Sequence, residues 1–418
     1  MSSVRVLLTA YSIFALAACG EGITEPGEPA TPIEELPRSL SVAERAVIAG
    51  SNRFAADLLR RVHEASPDST AFLSPLSASM ALGMTMNGAT GDTRAQMQEM
   101  LGFGGLTADE INASYRDLIT LLDDLDPHVE LAIANAIFHR SSFQMEAPFL
   151  DLARVYFDAA VEGLDFDDPA AAERINAWVG AATQDRIDKI IEPPIDPSTV
   201  AFLMNAIYFK GDWTKSFDAD DSYSGPFHLS GGGSANVRFM TKEDTLRYRS
   251  TDAWHAAELP YGGRAWVMTV AVPREGHALD EVLSDLETLF DPEASWTEPV
   301  MRVHLPRFEL DWERVLSDDL RALGMIDAFD PPVADFTPMY ARAREVELHV
   351  QTVKQKTFLR VDEVGTEAAA VTLVTMGITS CCSGPPELKA DRPFVLAIRE
   401  RFSGTVLFAG VIVQAPKE

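Results

Sequence analysis

VDEVGTEAAAVTLVTMGIT, residues Val361 to Thr379, is the stretch on which the fold turns. It begins as a strand would, passes through Gly365, Thr366, Glu367 and the three alanines Ala368, Ala369 and Ala370, continues with β-branched residues, and breaks into Ser380-Cys381-Cys382-Ser383-Gly-Pro-Pro. Alanines favour helix, and Thr366 is a residue that can start one. Val371, Thr372, Val374 and Thr375 pull the other way. A segment that is small and polar first and β-prone later can stand exposed in one state and be accepted as a strand in another, because small side chains cost little on entering a sheet. With a period of two, Thr366, Ala368, Ala370 and Thr372 share one face, and Glu367, Ala369 and Val371 share the other. The change from small and polar to β-prone reads as a switch, and the first set carries neither bulk nor charge.

Working outward, the runs FVLAIRE and TVLFAGVIV are strands joined by a turn at Arg401 to Gly404. Upstream, apolar residues Val47, Phe54, Leu58, Leu59 and Val62 recur at helical spacing, and further helices are predicted at Leu76–Met86, about Thr93–Leu101, within Leu106–Leu125 behind a Thr107/Glu110 capping box, and around Ala171–Ile187. Strands are predicted at Glu130–His139, Val200–Lys210 and through VRFMT, His255–Leu259, AWVMTVAVP and VMRVHLPRFEL, with short helices at Leu279–Leu289 and Val315–Leu323. No repeat and no Pro/Gly linker divides the body, which argues for one α+β domain over residues 41–418.

The chain has 418 residues, 46% of them hydrophobic, and a formal net charge of -28. Such a charge repels a phosphate backbone, so nucleic-acid binding is disfavoured, and it favours a soluble monomer. The start, MSSVRVLLTAYSIFALAACGEG, holds an apolar run of about 13 residues after Arg5, too short for a comfortable membrane span and suited to a signal peptide over residues 1–18. Leu16-Ala17-Ala18-Cys19 resembles a bacterial lipobox, which implies lipidation of Cys19, a membrane contact through that lipid alone, and an exported position at the outer membrane or cell surface or released from it. Residues 19–40, with prolines among glycine and glutamate, read as a flexible tether.

No Gly-x-Ser-x-Gly elbow, His-Glu-x-x-His pair or Gly-rich phosphate loop is present, and the eight histidines show no metal-ligand spacing. No enzyme, metal or cofactor is expected. Adjacent Cys381 and Cys382 lack the separated ligands of a metal site and the C-x-x-C of a redox motif, and read as ordinary loop side chains or a vicinal pair under oxidation.

Glu363-x-Gly365-Thr366-Glu367-Ala368-Ala369-Ala370-Val371-Thr372 resembles the proximal hinge of inhibitory serpins. Phe72-Leu73-Ser74-Pro75-Leu76-Ser77, Asn87-Gly88-Ala89, Asn205-Ala-Ile-Tyr-Phe-Lys210-Gly211-x-Trp213, Asp391-Arg392-Pro393-Phe394 and Phe408-Ala-Gly410 are similar to other serpin motifs in the same order. The resemblance implies three β-sheets, eight or nine helices and an exposed reactive-centre loop, here about residues 363–390. It implies a metastable body whose loop, cut by a serine protease, inserts into a sheet and traps the protease as a covalent acyl complex. Ser74, Ser77, Asn205 and Gln355 match the family's shutter, and Trp213 its breach. Gln355 stands where many serpins have a histidine; it can donate and accept but gains no charge, which puts pH-sensitive gating there in doubt. Counting from Glu363 puts the reactive bond at Thr379-Ser380, while counting back from Pro393 gives Cys382-Ser383, because the loop is a few residues longer than usual. Thr379 suits an elastase-like or subtilisin-like pocket; Met376 is a further cleavage point. The alternatives are a non-inhibitory binding or structural serpin and an inhibitor of cysteine proteases.

Overall fold

The computed structural model describes residues 31–366 and 385–417. Among them nine α-helices pack on four hydrogen-bonded sets of strands. The helices are α1 (Val42–Ala65), α2 (Pro75–Met86), α3 (Gly91–Met100), α4 (Ala108–Leu122), α5 (Ala147–Phe157), α6 (Ala170–Ala182), α7 (Leu279–Ser284), α8 (Leu286–Phe290) and α9 (Ser317–Ala322).

A six-stranded sheet forms the floor of the molecule. It holds β1 (Ala71–Leu73), β7 (Arg247–Ser250), β8 (Trp254–Tyr261), β9 (Trp266–Pro273), β15 (Phe394–Glu400) and β16 (Val406–Ile412), in the order β1-β16-β15-β9-β8-β7. Every residue of β9, β15 and β16 is buried, which explains their near-continuous apolar sequence. One ion cluster interrupts that core: Glu258 of β8 bonds both Arg399 of β15 and, at 2.8 Å, Arg247, while Arg399 also donates to Thr269 Oγ1 at 3.1 Å. Arg399 is 0% exposed and Glu258 2%, so neither charge reaches water.

A second sheet contains β5 (Tyr223–His228), β6 (Ser234–Thr245), β10 (Val300–Pro306) and β14 (Glu387–Lys389) in the order β14-β10-β6-β5. The third set, β13-β4-β2-β3, comprises β2 (Val129–Arg140), β3 (Ala160–Leu164), β4 (Ala201–Asp212) and β13 (Gly365–Thr366). The fourth pairs β11 (Phe308–Val315) with β12 (Lys354–Val361). The α+β fold with its helices is as expected. The expected three sheets are met as four sets because β4 and β12 are not hydrogen-bonded to one another among the described residues.

Local chemistry explains the element ends. Ser41 and Glu44 close a capping box on α1, and Thr107 and Glu110 close one on α4. The run VMRVHLPRFEL is split at Arg307 between two sheets. The last residues of the expected tether lie against the body: Ile33 N donates to Gly263 O at 2.7 Å, and Arg38 forms an ion pair with Glu44 at 2.6 Å. At the far end of the described chain Lys417 bridges to Glu309 of β11.

Candidate functional site

Between β4 and β12 lies a groove of about 990 Å³, lined by residues of both strands and by Ser74 and Ser77 of the α2 N-terminus. Ser74 Oγ donates to Leu407 O of β16 at 2.9 Å. Gln355 of β12 grips the same residue twice through its backbone: Ser74 N donates to Gln355 Oε1 at 3.1 Å, and Gln355 Nε2 donates to Ser74 O at 2.7 Å. Ser77 Oγ donates to Asn205 O of β4 at 3.2 Å, and Asn205 Nδ2 donates to Asn135 Oδ1 of β2 at 2.9 Å. Asn135 in turn donates to Phe157 O at 2.7 Å. The start of α2 is therefore tied to both walls of the groove, to β12 through an amide and to β4 through a hydroxyl. Any change in the spacing of those walls must exchange these buried bonds.

At one end of the groove the chain leaving β12 turns back. Asp362 Oδ1 accepts from Val364 N at 3.0 Å and Gly365 N at 3.3 Å, and β13 then pairs antiparallel with β4, Gly365 facing Asp212 and Thr366 facing Gly211. A Cβ at Gly365 would stand 2.3 Å from Gly211 O, so only glycine permits this approach. Trp213 closes the corner: its Nε1 donates to Asp362 O at 2.9 Å and its backbone N to Val364 O at 2.8 Å, while its ring stacks on Tyr261 at 4.4 Å. The Glu363 carboxylate accepts from Ser222 Oγ at 2.9 Å, with Arg238 and Arg307 at 3.8 and 3.6 Å.

Lys242 lies beneath this corner with Nζ 4.5 Å from the Phe217 ring centroid and 5.5 Å from that of Trp213, donating to Lys215 O at 2.6 Å. Burial pushes its ammonium down to about 7, with Asp244 pulling it up and Lys215 pushing it further down. The rings and the carbonyl return part of the lost hydration. The folded protein releases this proton near pH 7, whereas the unfolded chain keeps it to about pH 10.4. Between these values the unfolded state binds more protons, so stability must rise with pH. We expect Lys242→Met to remove this rise, changing the difference between wild type and variant by about 2 kcal/mol from pH 7.5 to 9.5, read by urea unfolding at each pH.

The protein-family profile described as "Serpin (serine protease inhibitor)" matches residues 49–415. The chain belongs to the serpin family. Serpin B6 of Pongo abelii is 32% identical over 377 residues, covering 87% of this serpin and 98% of that protein. Antithrombin-III of Homo sapiens is 32% identical over 371 residues, covering 86% and 80% respectively. Among solved structures, the thermophilic serpin tengpin in its native state superposes with a TM-score of 0.80 at 28% identity, covering 93% of this chain and 98% of that one. The family's description, a serine protease inhibitor, is not that of an enzyme.

These relatives correct one expectation. The matched relatives antithrombin-III and serpins B6 and B9 come from animals, and on this finding the lipid-anchored placement at a bacterial outer membrane or cell surface is overturned. Cys19 itself lies outside the described residues; among those that are described, no helix is long and apolar enough to cross a membrane.

Of the site residues read from the sequence, this serpin brings Ser74, Ser77, Asn205 and Gln355 together at the groove and Trp213, Glu363, Gly365 and Thr366 together at its end. Glu367, Ala368, Ala369, Ala370, Thr372, Thr379, Ser380, Cys382 and Ser383 lie outside the described residues. Asn135, Tyr261 and Lys242 were not singled out from sequence. Their partners are distant along the chain, and each sits in an ordinary strand pattern that carries no local signal.

Proposed function

We propose that this serpin is of the inhibitory type and traps serine proteases of elastase-like or subtilisin-like preference irreversibly, acting as a monomer built from one body over residues 41–418. The observation that carries the reading is the seating of Gly365 and Thr366 against β4 at the end of the groove between β4 and β12. A strand continuing from Thr366 would find β4 on one side and β12 on the other, both with backbone groups to pair.

The protease serine attacks the carbonyl of the reactive bond, proposed as Thr379-Ser380 with Cys382-Ser383 as the alternative, and the new amine leaves as the acyl ester forms. Residues Glu363 to Thr372 act as the hinge, Trp213 receives it, and the bonds of Ser74, Ser77, Asn205 and Gln355 hold the groove walls until the strand enters. Insertion then carries the acylated protease away from the geometry it needs for hydrolysis.

The test is an SDS gel of the protein mixed with elastase, on which a covalent complex near one-to-one stoichiometry is expected; cleavage without complex would overturn the reading. No basic residue lies between Met376 and Pro386. Inhibition of trypsin should therefore be at least about tenfold weaker than that of elastase or subtilisin, since an acidic pocket finds no charge partner. Mass spectrometry of the peptide released on cleavage locates the bond, and a cut after Cys382 would replace the Thr379 register.

A further inference from the structure

Tyr261 belongs to the floor sheet, yet its hydroxyl meets Thr366 Oγ1 of β13 at 3.0 Å. Both residues are buried, Tyr261 completely and Thr366 to 3% exposure. The ring is held independently of that hydroxyl. It stacks on Trp213 with an interplanar angle of 14° and meets Phe209 edge-on at 5.2 Å. Gly211 faces it, and a Cβ there would come within 3.1 Å of Tyr261 Cδ1. The phenol is thus delivered by a rigid aromatic stack to Thr366, in the second of the two residue pairs that β13 makes with β4.

We propose that Tyr261 is a positioning residue for loop insertion, its hydroxyl latching Thr366 so that the inserting strand starts from a seated pair in register with Gly211 and Asp212. The proposal rests on the inhibitory reading above. The contact is already made before insertion and keeps the hinge seated, so its loss lowers the fraction of molecules poised to insert and lengthens the time during which the acyl ester can be hydrolysed. Leaving one hydroxyl of a buried pair without its partner carries the full desolvation penalty, whereas replacing both by apolar groups of the same shape is nearly neutral.

Tyr261→Phe keeps the ring and removes the hydroxyl. In a gel assay with elastase, the ratio of cleaved to complexed protein should rise about fivefold over wild type, and thermal unfolding of the uncleaved protein should come a few degrees lower, because Thr366 Oγ1 loses its buried partner. Thr366→Val should raise the ratio similarly, and it serves as the second variant if Tyr261→Phe folds poorly. The double variant Tyr261→Phe/Thr366→Val should return to within about twofold of wild type, a rescue that a general packing role for Tyr261 would not give. Wild type that traps elastase together with single variants whose ratio is unchanged, or a double variant worse than either single one, overturns the latch alone. Wild type that forms no complex overturns the inhibitory reading and the latch with it.

Discussion

Replacing Thr366 by Arg is expected to turn the protein from an inhibitor into a substrate. Thr366 is buried against β4, its hydroxyl on that of Tyr261, where a long guanidinium would lose its hydration. The protease still meets the reactive bond and still forms the acyl ester. Insertion, slowed by several kcal/mol of buried charge, then loses to hydrolysis, and each 1.4 kcal/mol added to its barrier costs a factor of about ten. The covalent band should fall by at least about tenfold while cleaved protein and active elastase accumulate. Glu367→Gln is the control, because with a period of two that side chain falls on the opposite face. A Thr366→Arg variant that traps elastase as well as wild type would remove the hinge from the mechanism.

The second large effect is on stability. Glu258 is the buried carboxylate that holds Arg399, and Arg399 has no access to water. Glu258→Ala should destabilise the protein by about 3–5 kcal/mol, since it abandons a buried guanidinium to an apolar sheet. Urea unfolding measures the loss, and replacing both partners, as in Glu258→Leu/Arg399→Met, should restore most of it. The same sheet carries Leu407, which accepts from Ser74, and Tyr261, which supports the hinge. Glu258→Ala should therefore also impair protease trapping, although it touches neither the groove nor the loop.

Local signals in the sequence located what local chemistry decides. The Ser41 and Thr107 capping boxes and the apolar runs of β15 and β16 stand where periodicity and composition put them. Tertiary contacts moved the rest. The helix expected to reach Ile187 ends at Ala182, where Thr183 Oγ1 bonds Val179 O and accepts from Ile187 N. The helix expected over Leu279–Leu289 breaks at Asp285, whose carboxylate accepts the Trp254 indole. Helix α5 escaped notice because Pro148 sits at its start and the run from Ala147 to Phe157 is short. Gln355 shows the same limit in the site. Its position came from resemblance, while its double grip on the Ser74 backbone depends on residues 281 positions apart.

The seats of Ile33 and Lys417 have a mechanical consequence. Ile33 hangs from Gly263 by a backbone bond, and the neighbouring Gly262 N donates to Asp212 O of β4, the residue opposite Gly365. Lys417 is fastened to Glu309 of β11, whose other edge carries β12. Tension applied between residues 33 and 417 is thus shared between the chain into α1 and β16 and the backbone contacts that lead to opposite banks of the groove. Handles for force spectroscopy attached at these two positions would put part of the load on the gate, and the trapping rate under load would report how far its banks must travel.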